Sequence, residues 1–397
     1  MAGSLVVTVD DPAPAAHDGA EVIEASATLE PPLRGIDRIW WRTAAGDILA
    51  PGRVADAALV AVTQPAMAAG LDVELRGGAV SAGLLGNLDE VQAAWSQWRG
   101  WAPVRLEAEE APVGPRPERA AVSAYSGGVD SAYTLWRHVD GAAGHQRRRV
   151  DAAILVEGFD IPLDDPAFSA AVRRVAPPVA DRGVPVVTAA TNVRAIDDDW
   201  QAYHGFALAS MLTFAGGAQG AGLVASTDTY ARPVIGWGSN AITDPLLGSD
   251  AFAIVHDGCG AHRVAKVAAL AAWPDLLAAL RFCWMGPRFD RNCGRCLKCV
   301  TMAMILRVLD LPTTCFDVAP SDEVICSVLR GAETHGFTAT YNQPILDLAV
   351  ERDRRDPWVP VLRNRLRRAR LGPALDTLVA PVRRRVPPLR RPVGGGS

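Results

Sequence analysis

The chain opens with short apolar runs at 5–9, 36–41, 58–62 and 71–75, each broken by Pro, Gly or Asp. Their length and β-branched content predict strands. A helix is predicted over 87–98, with Leu88, Val91, Trp95 and Trp98 on one face. From residue 120 the rhythm changes. Apolar runs at 121–125, 152–157, 184–189, 223–226 and 253–256 alternate with amphipathic stretches from Asp130, at 168–182 and at 200–216. Alternating β and α units predict an α/β fold with a doubly wound parallel sheet. Such sheets bind ligands beyond the carboxyl ends of their strands, near the switch in strand order. Residues 263–350 read as mainly helical, interrupted by cysteines. The expected organisation is a β-rich N-terminal domain over 1–112, a proline-rich linker at 111–117, an α/β domain over 118–262, a helical region over 263–350 and an arginine-rich tail over 351–397.

Composition narrows this picture. With 397 residues, 49% hydrophobic and 21% charged, the chain is globular and long enough for more than one domain. No apolar run of ~18 residues predicts a membrane span, and no charged n-region precedes Arg34. All seven cysteines follow residue 258, which fits a reduced, cytoplasmic setting better than a disulfide scaffold. The net charge of −4 hides an asymmetry: residues 351–397 carry 13 Arg and 4 acidic residues, a local +9, so the remainder is −13. Only Lys266 and Lys298 are lysines. A compact ammonium at those positions does what a guanidinium does not.

The most informative segment is Ser126-Gly127-Gly128-Val129-Asp130-Ser131, placed between a predicted strand and a predicted helix. Two glycines allow a sharp turn with successive N–H groups exposed. Those amides, the serine hydroxyls and a helix N-terminus suit a phosphate-like anion. Asp130 beside that anion calls for a cation, and Mg²⁺ bridging to a polyphosphate is the expectation.

This string resembles the pyrophosphate loop of the N-type ATP pyrophosphatases, the PP-loop superfamily with its adenine-nucleotide α-hydrolase-like fold. The resemblance covers about 120–260, and the loop is its specific part. It implies cleavage of ATP between the α and β phosphates. AMP is transferred to a carboxylate or carbonyl oxygen and then displaced by a nitrogen or sulfur nucleophile. It also implies adenine contacts from the backbone of 154–158. Glu157 and Asp160 at the end of that strand, and Ser226 and Asp228 at the end of the fourth, are candidate nucleotide contacts. Arg263 and Lys266 are three apart, share a helix face and are expected at the phosphates or the adenylated intermediate.

Cys283, Cys293, Cys296 and Cys299 form C-x9-C-x2-C-x2-C. Four thiolates close a tetrahedral Zn²⁺ shell with no open position, hence a structural site; an iron–sulfur cluster is the alternative. The knuckle sharpens the resemblance, because 7-cyano-7-deazaguanine synthase carries a similar one after its pyrophosphate-loop domain. Three features depart from that enzyme: Val129 in place of the usual Gln, the extra N-terminal segment, and a different sequence after the fourth strand.

Ser239, Asn240 and Asp244, in loops between the fourth and fifth strands, are candidate substrate contacts. His204 reads as a core histidine. Cys259, Cys315 and Cys326 read as core thiols. The expected activity is ATP-dependent adenylation of a small-molecule carboxylate, followed by attack of ammonia or an amine. The alternatives are a tRNA-thiolating enzyme and a non-catalytic nucleotide-binding module. The arginine-rich tail is a candidate contact for RNA or protein, and a homodimer is a further candidate partnership.

Overall fold

The computed structural model describes residues 3–46, 53–112, 120–217, 219–283, 285–286, 288–331 and 336–369, the side chains of 336–340 excepted. These divide into two compact units, one of residues up to 294 with 311–319, the other of 295–310 with residues from 320 on.

The first unit begins with β1 (Gly3–Val9), β2 (Ala13–His17), β3 (Ala20–Leu33) and β4 (Ile36–Ala44). Asp18-Gly19 and Arg34-Gly35, all at positive φ, turn the chain between β2 and β3 and between β3 and β4. Two left-handed residues in succession match the twist of the flanking strands. α1 (Val54–Ala69), β5 (Leu71–Ser81), α2 (Ala82–Arg99) and β6 (Leu106–Ala111) follow. The run at 58–62, expected as a strand, lies inside α1. That helix is buried on all sides from Val54 to Met67, so it shows no polar face for a helical period to reveal. The helix expected over 87–98 is the body of α2, with Leu88, Val91 and Trp95 buried.

The alternating half supplies β7 (Ala120–Ala124), α3 (Val129–Val139), β8 (Arg149–Glu157), α4 (Ala167–Ala180), β9 (Val186–Thr191), α5 (Trp200–Ala215), β10 (Ala221–Ala225) and β11 (Ala253–Asp257). α6 (Arg263–Leu270) and α7 (Pro274–Ala279) complete the unit. β7 to β11 stand in the order β11-β10-β7-β8-β9, every neighbouring pair parallel. β7 is buried along its whole length, as a strand covered on both faces must be. The order reverses at β7: the chain steps one way to β8 and β9, then returns to the other side for β10 and β11.

The two halves share one sheet. β9 pairs antiparallel with β4, Trp41 opposite Thr191 and Thr43 opposite Ala189, and the ladder continues through β3, β1, β5 and β6. The N-terminal segment, expected to be β-rich and separate, is therefore an α/β extension of the same sheet. Its physical reason is the open edge of β9, whose backbone groups need partners. Residues 113–117 of the expected linker lie outside the described residues. On the helical side, Trp41 Nε1 donates to Ser210 Oγ at 2.9 Å, Ser210 Oγ to the Ala57 carbonyl at 2.7 Å, and Tyr203 Oη to the Ala61 carbonyl at 2.9 Å. Buried hydroxyls thus tie α5 to α1 and β4.

The second unit contains α8 (Leu297–Val308), α9 (Asp322–Gly331), α10 (Gly336–Glu351) and a helical stretch over 358–369. Within it, Arg307 pairs with Asp322, Arg354 with Asp310 and Asp356, and Arg365 donates to the Leu329 carbonyl. Residues 370–397 of the expected tail lie outside the described residues. Among the described residues no helix is long and apolar enough to cross a membrane.

Candidate functional site

β7 ends at the reversal of strand order, and the chain leaves it through Ser126-Gly127-Gly128. Gly127 has φ +76°, and a Cβ there would stand 2.6 Å from Val175 Cγ1, so geometry and space both demand glycine. Ser126 Oγ accepts from the Gly128 amide at 3.2 Å, and Ser131 Oγ accepts from the Ser126 amide at 3.3 Å. The two hydroxyls meet at 3.3 Å. α3 then starts at Val129, whose buried side chain leaves only its amide for the turn. The amides of the first helical turn have no intrahelical acceptor, and the helix dipole adds partial positive charge there.

Asp130, in that first turn, is met by the two cations expected from their spacing. Arg263 Nη2 stands 2.7 Å from its Oδ2, and Lys266 Nζ 2.9 Å from its Oδ1. Lys266 is 1% exposed and also donates to the Ser226 carbonyl at the end of β10. Burial pushes the Asp130 carboxyl up, but Arg263 and Lys266 outweigh it and hold the group below its ordinary range. The sequence reading aimed the two cations at phosphate; in this structure they neutralise Asp130. Each carboxylate oxygen therefore accepts one charge-assisted hydrogen bond.

Arg281 is a neighbour the sequence reading missed. Its amide donates to the Gly127 carbonyl at 2.8 Å, and its side chain, 4% exposed, keeps a buried Nε without a hydrogen-bond partner. Its Nη1 donates to the Phe289 carbonyl at 3.1 Å, so it is the backbone of Arg281 that meets the turn. No motif marks it, since it precedes Cys283 by two residues in an irregular segment.

Ser226 is fully buried and lies across the reversal from the turn, directly after β10. Its amide donates to the Asp257 carbonyl at 2.7 Å, and its hydroxyl accepts from the Cys259 thiol at 3.1 Å. Ser239, Asn240 and Asp244 gather in one loop. Ser239 Oγ donates to Asp244 Oδ2 at 2.6 Å, and the Asn240 amide to Asp244 Oδ1 at 3.1 Å. The Asn240 side chain is consumed by the Trp237 carbonyl, Thr243 Oγ1 and the amides of Ile242 and Thr243. It builds the loop rather than facing a ligand. Asp244 Oδ2 also meets His256 Nδ1 at 2.6 Å. Burial pushes the His256 imidazole down, but Asp244 and the Cys259 thiol draw it up to about 9. Burial likewise pushes Cys259 up, while its contacts with His256 and Ser226 bring it below its ordinary value. Cys259, expected as a core thiol, thus stands in a hydrogen-bonded cluster. Its signal in the sequence was Gly258-Cys259-Gly260 directly after a strand.

Glu157 ends β8, and its carboxylate accepts the Asp164 amide at 3.1 Å, an interaction within its own loop. His204 packs on Trp200 and Trp237, hydrogen-bonds the Trp200 carbonyl and is pushed down by burial, as a core histidine.

Cys283, Cys293, Cys296 and Cys299 bring their Sγ atoms within 4.8 Å of one another. Gly294, at φ +70°, turns the chain between the second and third, and Cys296 caps α8. Asn292 braces the approach: its Oδ1 accepts the amides of Phe282 and Cys283, and its Nδ2 donates to the Leu280 and Cys315 carbonyls. Four sulfurs this close suit a tetrahedral metal, whose Zn–S bonds are about 2.3 Å.

No family model, no curated protein and no solved structure matches this chain.

Proposed function

We propose that this chain is an ATP-dependent adenylating enzyme of the PP-loop kind, forming AMP and pyrophosphate on a doubly wound parallel sheet. It activates a small-molecule carboxylate or carbonyl for ammonia or an amine, in the manner of 7-cyano-7-deazaguanine synthase. The observation that carries the reading is the placement of the Ser126–Ser131 turn. It lies at the reversal between β7 and β10, with Gly127 left-handed and the N-terminus of α3 directly behind it. Ligands of open α/β sheets bind at that point.

On this reading the amides of Gly127, Val129, Asp130 and Ser131 cradle the departing pyrophosphate, with the Ser126 and Ser131 hydroxyls holding the Gly128 and Ser126 amides to shape the turn. Charge develops there as the α–β bond breaks, and preorganised donors lower the barrier most where charge grows. Arg263 and Lys266 supply the cations: a polyphosphate competes with Asp130 for them, and Asp130 keeps them poised in its absence. Cys283, Cys293, Cys296 and Cys299 would hold a zinc ion structurally, because a shell of four thiolates leaves no position for substrate. The described arginines of the basic segment that the structure pairs internally, Arg352, Arg354 and Arg365, give no support to RNA binding.

Exchange of labelled pyrophosphate into ATP, run against a panel of small carboxylic acids, tests the reading. The expected result is carboxylate-dependent exchange, with AMP as the nucleotide product. Hydrolysis to ADP and phosphate overturns it. Tight ATP binding with no exchange for any acid identifies a nucleotide-binding module instead.

A further inference from the structure

Residues of α4 have two kinds of neighbour. Val175 packs against Gly127 of the phosphate turn, whereas Ala170, Arg173 and Arg174 line a cavity of about 430 Å³ that no residue of the turn lines. Arg288, Asp290, Arg291 and Asp317 complete its wall. Arg281 ties that wall back to the turn, because its amide donates to the Gly127 carbonyl at 2.8 Å and its Nη1 to the Phe289 carbonyl at 3.1 Å.

The wall holds its guanidiniums in fixed positions. Asp290, 5% exposed, accepts Arg288 Nε at 3.1 Å, Arg288 Nη2 at 3.0 Å and Arg291 Nε at 3.3 Å. Asp317 accepts Arg291 Nη1 at 2.6 Å. Arg174 donates to the carbonyls of Ala279 at 3.1 Å and Cys315 at 2.6 Å, which are dipoles and carry no full charge. Arg173 is exposed and has no hydrogen-bond or ion-pair partner among the described residues. Four guanidiniums against two carboxylates leave two positive charges in surplus. They stand within residues 1–350, whose net charge is −13.

We infer that this cavity binds a phosphorylated small molecule, its phosphate dianion gripped by Arg173 and Arg174 from α4 and by Arg288 and Arg291 from the segment before Cys293. A guanidinium presents parallel N–H donors that match phosphate oxygens, and a dianion answers the surplus of two charges. The volume lies in the range of small-molecule sites, about 300–1,000 Å³. Ala170 is the one apolar residue of the lining, so the body of the ligand is polar, as in a sugar phosphate. A long polyanion such as a nucleic acid is disfavoured, because its flanks would meet an acidic body. The site goes beyond the adenylation reading and does not depend on it: none of Ser126–Ser131, Arg263 or Lys266 lines the cavity.

The test uses the full chain, ribose 5-phosphate as the probe, and phenylglyoxal, which modifies guanidiniums, with the modified residues mapped by mass spectrometry. Saturating probe should slow modification of Arg173 by about tenfold. Arg76 on β5, paired with Glu74, should be unaffected, and ribose without its phosphate should protect neither. In calorimetry Arg173→Gln should weaken the probe by about tenfold, and Arg76→Gln should leave its affinity unchanged. Equal protection of Arg173 and Arg76, or protection of neither, overturns the proposal. So does a short single-stranded oligonucleotide that protects Arg173 at lower concentration than ribose 5-phosphate. Arg263 in the same digest reports on the phosphate turn, so its protection by ATP bears on the adenylation reading alone.

Discussion

The two halves of the sheet each hold an aspartate by specific partners, and they do so in opposite ways. Asp56, on α1 in the N-terminal half, is 1% exposed and receives the Ser81 amide at 2.8 Å and the Ser81 hydroxyl at 2.7 Å. Burial dominates there, and the carboxyl is raised above its ordinary value despite those bonds. Asp130, in the parallel half, faces a guanidinium and a buried ammonium and is lowered. Neutral donors fix a loop; two opposed charges hold an electrostatic reserve that an incoming anion can redirect. Around Asp130 the two charges outweigh burial, whereas around Asp56 burial outweighs the Ser81 hydrogen bonds and the Arg53 charge.

The largest expected effect follows from removing the reserve. Asp130→Ala leaves Lys266 buried without a carboxylate, so unfolding in urea should show a loss of about 3–5 kcal/mol, with ATP binding lost in calorimetry. Asp56→Ala strips the Ser81 amide and hydroxyl of their acceptor. Its cost is about 1–3 kcal/mol, and ATP affinity should stay unchanged. Equal losses of ATP affinity in both variants would erase the contrast between the halves.

The smallest effect is one of pH. Asp130 is lowered, so its stabilising share is present above the unfolded value near 3.8 and fades as pH falls through its folded value. Asp56 is raised, so its share is full below about 3.8 and is lost as pH rises through its folded value. His256, raised to about 9, contributes fully below about 6.5 and loses that share as pH climbs through 9. Urea midpoints should therefore fall at both ends of the scale. Asp130→Asn should blunt the acid limb, and His256→Gln the alkaline one.

Much of the parallel half was legible because each strand there is a short apolar run bounded by turn residues, and each helix except α5 keeps a polar face. The N-terminal half hid more. α1 is apolar all round, so its period carries no phase. The long β3 alternates polar and apolar residues only in part, with Ser26 buried among them. The Asp18-Gly19 hairpin signal was present and went unread. At the site, the turn and its two cations were readable from local spacing. The meeting of Asp244, His256 and Cys259 was not, because it depends on how the loop before β11 folds back over that strand's end. Asn240 misled for a related reason: an amide side chain has the same letter whether it contacts a ligand or closes its own turn.

The single ladder running from β11 to β6 sets a limit on how this protein can be dissected. Starting the chain at Ala120 would leave β9 with an unclothed margin, a row of backbone donors and acceptors ready to recruit any extended segment nearby. The first hundred residues therefore act as a splint for the parallel half, and a fragment beginning at Ala120 would be inclined to clump.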